Sequence, residues 1–307
     1  MNDTAFLGAG DDTFIWNPGD DNDVVEGQQG LDTLLFNGAN VAENIDISAV
    51  GERSLFFRNV AAVTMDMDRV ERIEFNARGG VDQIVVNDLT GSDVTLVDLD
   101  LAGTTGTGIG DGVIDRVTVK GTGGADSIGV RTLGGSTVVS GLSARVEIAG
   151  EDGGQDVLRI EAGAGNDTIS ARLLTDDGMK LVALGGAGND FIRGGDGRDE
   201  LFGQTGRDRL FGGRGNDELT GGSGADLYIF AGQNGTDRIK DFTDGADKIR
   251  IQGYGSALNS FADLAGDIIQ VGADVHIRLG ANVTGAGTIV IENFTVAQLS
   301  AADFSFL

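Results

Sequence analysis

Residues 185–229 read GGAGNDFIR, GGDGRDELF, GQTGRDRLF, GGRGNDELT and GGSGADLYI, five nonapeptides that follow one another without a gap. Glycine permits positive φ, so the first six residues of each repeat can form a tight turn whose carbonyls point inward. The last three residues have the alternation of a short strand, with an apolar middle side chain facing a core. Nine residues therefore make half a coil, and two repeats make one turn of a β-solenoid.

The sixth residue of every repeat is an aspartate, and residues 18 apart are predicted to stack. One edge of the solenoid then carries Asp190, Asp208 and Asp226, and the other carries Asp199 and Asp217. Coils lie about 4.8 Å apart, and ionised carboxylates that close repel each other by about 1 kcal/mol even in bulk water. Such a column needs cations. Carboxylates and turn carbonyls are hard oxygen ligands, which suit the six to eight oxygens around Ca²⁺.

A looser pattern, Gly-x-Asp-x-apolar, extends beyond the array and occurs thirteen times in the chain, far more often than the composition predicts. Its outlying members are Asp12, Asp32, Asp82, Asp126, Asp156, Asp167, Asp237 and Asp247. A longer period of 41 residues relates Asp115 to Asp156 and Asp126 to Asp167. Turn aspartates without metal explain Asp82, Asp126, Asp156 and Asp167 as well as calcium does.

The composition narrows the function further. The 307 residues include 52 Gly, one Pro, no Cys and one His, and the formal net charge is −26. So acidic a chain repels nucleic acid and anionic membranes and attracts cations. Zinc, copper and iron–sulfur sites need several imidazoles or thiolates, so these sites are not expected. No apolar run approaches the ~20 residues of a membrane-spanning helix.

The nonapeptides resemble the GGxGxDxUx calcium-binding repeats of RTX (hemolysin-type) proteins. The segment GQNGTDRIKDFTDGADKIRI at 232–251 and the tail ending in DFSFL at 303–307 are similar to the region that follows the repeats in serralysin-type proteases. This resemblance implies secretion to the extracellular space by a type I ABC exporter, guided by an uncleaved C-terminal signal. The stacked pairs Asp190/Asp208, Asp199/Asp217 and Asp208/Asp226 are each expected to contribute to one ion, which predicts at least three calcium ions in the array.

The expected calcium ligands come from the glycine turns and the aspartates. They are Gly186, Gly188, Asp190, Gly195, Gly197, Asp199, Gly206, Asp208, Gly213, Gly215, Asp217, Gly222, Gly224, Asp226, Asp237 and Asp247.

The predicted fold is an all-β, right-handed parallel β-helix or β-roll solenoid with a C-terminal β-rich cap. We expect RTX-like coils at 1–35, longer β-helix coils at 36–184, the β-roll at 185–230, and a cap with the secretion signal at 231–307. One short helix is expected at 260–266. The spacing between Asp3 and Asp12 matches one repeat, which favours a chain that is a piece of a longer protein.

The expected function is that of a secreted protein in which calcium drives folding and staples the solenoid. Two alternatives stay open: a β-helix lyase or epimerase acting on an acidic polysaccharide, and an adhesin or matrix segment. The basic group Arg53, Arg58, Arg69 and Arg72 could grip such a polysaccharide, although outward strand positions that offset excess acid explain it better. No catalytic residues are assigned, because HExxH, GxSxG and phosphate-loop motifs are absent. His276 is expected to be an ordinary strand residue.

Overall fold

The computed structural model describes residues 2–232, 234–280 and 287–307, and the chain divides into two compact units. The first unit comprises Met1–Gly121, Ile128–Ile160 and Asp177–Lys180, and the second comprises Thr122–Ser127, Glu161–Asp176 and Leu181–Leu307. The predicted cap at 231–307 includes Gln233 and residues 281–286, which lie outside the described residues.

The first unit is built from short strands that return to two sheets in alternation. The strands are β1 Asp3–Ala9, β2 Thr13–Trp16, β3 Asp23–Gln29, β4 Thr33–Asn37, β5 Asn44–Val50, β6 Arg53–Arg58, β7 Val63–Asp68, β8 Arg72–Asn76, β9 Gln83–Val86, β10 Leu96–Asp100, β11 Arg116–Lys120, β12 Ser127–Leu133, β13 Ser136–Ser140, β14 Arg145–Ala149 and β15 Val157–Ala164, which ends in the second unit. One sheet has the order β1-β3-β7-β6-β5-β9-β11, and the other has the order β2-β4-β8-β10-β14-β13-β12.

The second unit repeats this alternation with shorter coils. Its strands are β16 Thr168–Leu173, β17 Lys180–Ala187, β18 Phe191–Arg193, β19 Glu200–Gly206, β20 Arg209–Phe211, β21 Glu218–Gly224, β22 Leu227–Ala231, β23 Thr236–Ile239, β24 Lys248–Gln252, β25 Ile268–Val271, β26 Asp274–Arg278, β27 Thr288–Ile291 and β28 Phe304–Phe306. The sheet orders are β17-β19-β21-β23-β27-β26-β25 and β16-β18-β20-β22-β24-β28. Consecutive coils pair in parallel, so the predicted solenoid of β-roll and β-helix type is confirmed.

Antiparallel hairpins interrupt the parallel coils at three places. β5, β6 and β7 pair antiparallel in succession, as do β12, β13 and β14, and β25, β26 and β27. Two of these insertions lie in the region predicted to be a β-helix with long coils. The third belongs to the β-rich C-terminal cap, where β28 pairs in parallel with β24.

The core follows from the period-2 alternation of the strands. In the array the middle strand residues Ile192, Leu201, Leu210 and Leu219 are each fully buried, as predicted. A ladder of aromatic rings fills the first coils, where the Trp16 and Phe36 rings stack with centroids 4.0 Å apart. Apolar side chains stacked on identical positions of successive coils remove a continuous strip of surface from water.

Helical structure in the described part of the chain is confined to short 3-10 turns at Val60–Ala62, Gly255–Ala257, Phe261–Leu264, Val296–Gln298 and Ala301–Asp303. The predicted helix at 260–266 is therefore a single turn, held by a capping box between Ser260 and Asp263. Nowhere in residues 2–232, 234–280 and 287–307 is there a helix long and apolar enough to cross a membrane.

Candidate metal centre

Six aspartates stack along one edge of the second unit and form what we call the long ladder: Asp126, Asp167, Asp190, Asp208, Asp226 and Asp247. The backbone N–H of each donates a hydrogen bond of 2.7–2.9 Å to Oδ1 of the next aspartate in the stack. All but Asp126 are at most 2% exposed. The predicted 18-residue stacking is confirmed within the array. Outside the array, stacked neighbours are 41, 23 and 21 residues apart in the sequence.

Asp199, Asp217 and Asp237 stack on the other edge of the second unit and form the short ladder. Their N–H···Oδ1 distances are 3.0 Å, and all three side chains are buried. The two ladders therefore hold every aspartate predicted to be a calcium ligand, Asp237 and Asp247 included.

The second carboxylate oxygen separates these aspartates into two kinds. In Asp167, Asp190, Asp208, Asp217 and Asp226, Oδ2 is buried and has no hydrogen-bond partner among the described residues. A buried carboxylate oxygen without a partner loses its hydration and gains nothing in return, which costs about 1–3 kcal/mol or more. Five such oxygens in two stacks mark places that a further partner must fill.

The other kind is exemplified by Asp199, whose Oδ2 accepts a 2.8 Å hydrogen bond from the Gly195 backbone N–H. Asp247 makes the equivalent bond to the N–H of Thr243, also at 2.8 Å. The difference arises in the turn. The second glycines of three repeats, Gly186, Gly213 and Gly222, have positive φ, whereas Gly195 does not. Because the backbone of Gly195 differs, its N–H occupies Asp199 Oδ2, whereas the corresponding Oδ2 atoms of Asp190, Asp217 and Asp226 have no partner.

The first glycine of each repeat was not among the predicted site residues, yet it covers the carboxylate. A Cβ at Gly185, Gly194, Gly203, Gly212 or Gly221 would lie only 2.3–2.4 Å from Oδ2 of the aspartate five residues later. Any side chain at this position would occupy the space of the carboxylate group. The presence of glycine in all five repeats is the sequence signal that marks this position.

The fourth glycines are required by close packing of one coil on the next. Gly188, Gly197, Gly206, Gly215 and Gly224 all have positive φ. A Cβ on Gly206 would lie 1.6 Å from the carbonyl oxygen of Gly188 one coil earlier. Both the backbone conformation and the contact exclude a side chain here.

Burial raises the pKa values of the long-ladder carboxyl groups from Asp167 to Asp247 and of the short-ladder carboxyl groups, and the neighbouring carboxylates raise them further. The pKa of Asp199 is raised to about 8, chiefly by burial and then by Asp217. The pKa of Asp208 is raised to about 6, again chiefly by burial. Burial also raises the pKa values of Asp217 and Asp237. Without a cation, the folded ladders therefore hold protons at pH values where free aspartate is ionised.

The first unit carries a related stack formed by Glu43, Asp82, Asp115 and Asp156. Each N–H donates to a carboxylate oxygen of the next residue at 2.8 Å. Burial raises the pKa of Asp82 to about 8 and that of Asp115 to about 7. Asp82 also has a buried Oδ2 without a partner.

At one end of this stack the protein supplies the counter-charge itself. Glu43 is fully buried and forms an ion pair with Arg58, which is 3% exposed and lies 5.4 Å from the centre of the Trp16 ring. The interpretation of Arg58 as an outward strand residue is therefore wrong. Arg53 and Arg72 do lie outward, and both form ion pairs with neighbouring acidic side chains.

A second group of residues missed at the sequence level closes the array at its C-terminal end. The Asp241 carboxylate accepts hydrogen bonds from the N–H groups of Gly221 and Gly222 and from the buried Tyr228 hydroxyl, at 2.7–3.0 Å. Asp241 does not fit the Gly-x-Asp-x-apolar pattern, so no repeat search finds it.

The donor set fits a hard divalent cation. In the part of the chain that the structure describes, no three or more His, Cys, Asp or Glu side chains converge on one point. Calcium can combine one or two carboxylates with several carbonyl oxygens in a flexible geometry, and this is what a partnerless Oδ2 beside glycine turns offers.

Comparison with protein-family models agrees with this assignment. The family model of the RTX calcium-binding nonapeptide repeat matches four copies, over residues 159–173, 182–210 and 202–239. Among 31 matching chains of solved structures is the extracellular lipase LipA from Serratia marcescens, at 13% identity and a TM-score of 0.30. The match covers 94% of this chain and 45% of the lipase chain. No curated protein matches the sequence.

The matched residues 159–239 include the short ladder and the four aspartates of the long ladder from Asp167 to Asp226. The chain therefore carries RTX calcium-binding repeats, binds Ca²⁺ and has a β-roll fold.

Proposed function

We propose that this chain is part of a secreted protein in which calcium drives folding and then cross-links successive coils. The observation that carries the proposal is the set of buried, partnerless Oδ2 atoms in the ladders. Asp190, Asp208 and Asp226 offer three of them in one stack, and Asp217 offers another on the opposite edge. At least three ions are expected in the array.

Repulsion between acidic groups explains why the chain would fold only when calcium binds. The net charge of −26 opposes compaction at every pH near neutrality. Folding without metal must also bury the ladder carboxyl groups, either charged and unpaired or with protons taken from the solvent. Binding of a cation to the folded state alone converts its binding free energy into folding free energy.

Calcium counting on a single variant tests the ligand assignment. Asp208 lies in the middle of the long ladder, between Asp190 and Asp226, so it borders the spaces on both sides. Asp208→Asn keeps an oxygen for the Asp190 N–H but removes the free charged oxygen. Equilibrium dialysis with a calcium-sensitive readout should show the loss of more than one ion per chain.

The matched control is Asp93→Ala, which removes an exposed aspartate outside the ladders. It should bind as many ions as the unmodified protein. An Asp208→Asn protein that retains every ion would rule out the proposed role of the long ladder.

We also propose that a type I exporter secretes the protein, guided by a signal in the C-terminal tail. The position of this tail in the cap supports the proposal. Asp303 is buried, and Phe304–Phe306 is β28, which pairs with β24 in the cap. A signal in this segment can be read by a transporter only before the cap folds. Low calcium inside the cell would keep the chain unfolded for export, and higher calcium outside would fold it.

Removal of residues 300–307 tests this part separately. Export by the cognate transporter should stop, while the purified shortened protein should still bind calcium through its ladders. Continued export of the shortened protein would place the signal elsewhere.

A further inference from the structure

A groove of about 600 Å³ lies on the second unit. Three arginines, Arg172, Arg193 and Arg214, line it together with a single acidic residue, Asp196, so the formal charge of its wall is +2. This local excess of positive charge stands out in a chain of net charge −26. The calcium ladders do not use these arginines.

The three arginines come from successive coils. Arg193 ends β18 and is paired in register with Phe211 of the next coil and with Ser170 of the preceding one. Arg172 follows Ser170 by two residues, and Arg214 follows Phe211 by three. The three arginines therefore do not share one register position: Arg172 and Arg214 lie two and three residues beyond the position that Arg193 holds in its coil.

Arg193 is held in place but incompletely satisfied. Its guanidinium lies over the Phe211 ring, 4.4 Å from the ring centre. Its Nε atom is buried and has no hydrogen-bond partner among the described residues. Arg172 stands close enough for its like charge to lower the pKa of Arg193, although burial is the larger cause. Two adjacent guanidinium groups with an unused donor are the arrangement that a carboxylate or another oxyanion satisfies.

The array departs from its own pattern at this groove. Gly194, Gly195 and Asp196 line it, and these are the turn residues of the repeat whose Asp199 has no free oxygen. The departure is the backbone of Gly195, which lacks the positive φ of Gly186, Gly213 and Gly222. The turn that forms the wall of the positively charged groove is therefore the one in which the aspartate, Asp199, has no free carboxylate oxygen.

We propose that this groove binds a linear acidic polysaccharide, with carboxylates of successive sugars facing Arg172, Arg193 and Arg214. Three arginines along one groove of about 600 Å³ match a ligand that carries several carboxylates better than they match a single small anion. This binding goes beyond calcium binding, and it places a glycan site on different arginines from those named from the sequence.

Binding of defined oligogalacturonates to the calcium-loaded protein tests the proposal by isothermal titration calorimetry. Affinity should rise as the oligomer lengthens from one sugar to about four, because each added carboxylate reaches a further arginine. Higher salt should weaken it. Arg193→Gln should weaken hexagalacturonate binding by about tenfold, the effect of losing one charge-assisted hydrogen bond.

Arg209→Gln is the matched control. Arg209 also lies over a phenylalanine ring, that of Phe191, but it does not line the groove. Its replacement should change hexagalacturonate affinity less than twofold. Circular dichroism and the calcium count of both variants should equal those of the unmodified protein, so failure of glycan binding is distinguished from failure of calcium binding.

Three results would overturn the inference. One is equal binding of galacturonate monomer, sulfate and hexagalacturonate, which would indicate a site for single anions. Another is equal loss in the Arg193→Gln and Arg209→Gln proteins. The third is binding that depends on calcium but on neither arginine, which would indicate calcium bridges between the glycan and acidic side chains.

Discussion

Acidification of the calcium-free protein should restore the folded state that calcium removal destroys. In the folded chain, burial raises the pKa of Asp199 to about 8 and that of Asp208 to about 6, against about 3.9 for an unfolded aspartate. Between about pH 4 and pH 8 the folded state therefore binds more protons than the unfolded state, and its stability falls as pH rises.

The size of the effect follows from the same two groups, both 1% exposed. Raising the pH from about 5.5 to about 8 costs roughly 3 kcal/mol at Asp199 and roughly 0.8 kcal/mol at Asp208, when the proton binding of each group is integrated over this range. Their sum, about 4 kcal/mol, is a large part of the 5–15 kcal/mol that stabilises a typical domain. Burial raises the pKa values of further ladder residues, which act in the same direction: Asp167, Asp190, Asp217, Asp226, Asp237 and Asp247.

Far-UV circular dichroism in EGTA at about pH 5.5 and about pH 8 provides the assay. The lower pH stays clear of the isoelectric point of about 4.1, where aggregation would interfere. The unmodified protein should show more β signal at the lower pH. In the double variant Asp199→Asn, Asp208→Asn this difference should shrink, since two of the titrating groups are gone. Equal signals at both pH values, or equal differences in both proteins, would refute the reasoning.

Three substitutions test other parts of the structure by chemical denaturation. Gly206→Ala in the calcium-loaded protein should lower the free energy of unfolding by about 3 kcal/mol or more, because the new Cβ meets a carbonyl oxygen. Gly10 has a similar φ but open space around it, so Gly10→Ala should cost only about 1–2 kcal/mol. Equal losses of stability in the two variants would contradict the contact argument. Arg58→Met should lower the free energy of unfolding by about 3–5 kcal/mol, because it leaves Glu43 buried and charged. Adding Glu43→Gln to this variant should recover most of the lost stability. An Arg58→Met protein as stable as the unmodified protein would contradict the burial of this pair. Gln204→Gly should stabilise the array by a few tenths to about 1 kcal/mol, because Gln204 has a φ of 78°, which glycine adopts without strain. A destabilised variant would show that contacts of the Gln204 side chain stabilise the array by more than its backbone strain destabilises it.

The array itself was predictable because its information is local. Nine-residue spacing sets the coil length, and coil length decides that Asp190 lies under Asp208 and that Ile192 faces the core. The 41-residue period is also a stacking distance in the structure, where the Asp115 N–H donates a hydrogen bond to Asp156 Oδ1. In a solenoid, each coil contacts mainly its neighbours, so a repeat in sequence becomes a repeat in space.

What the sequence did not reveal depends on contacts between residues that share no pattern. The pairing of Arg58 with Glu43 requires the β5–β6 hairpin, and alternating strands look the same in hairpins and in parallel coils. The turn at Gly195 has the repeat's sequence but not its conformation, since Gly195 lacks the positive φ of Gly186, Gly213 and Gly222. The arginine groove was hidden because its residues are 21 apart, a spacing that belongs to none of the periods found.

Calcium titration of the EGTA-treated protein at about pH 8 tests the central claim most directly, with circular dichroism and calcium binding followed on the same sample. The account predicts a chain with little β signal in EGTA, which gains its β signal as at least three ions bind, at sub-millimolar to millimolar calcium. A protein that releases all its calcium to EGTA and keeps an unchanged β spectrum would contradict it.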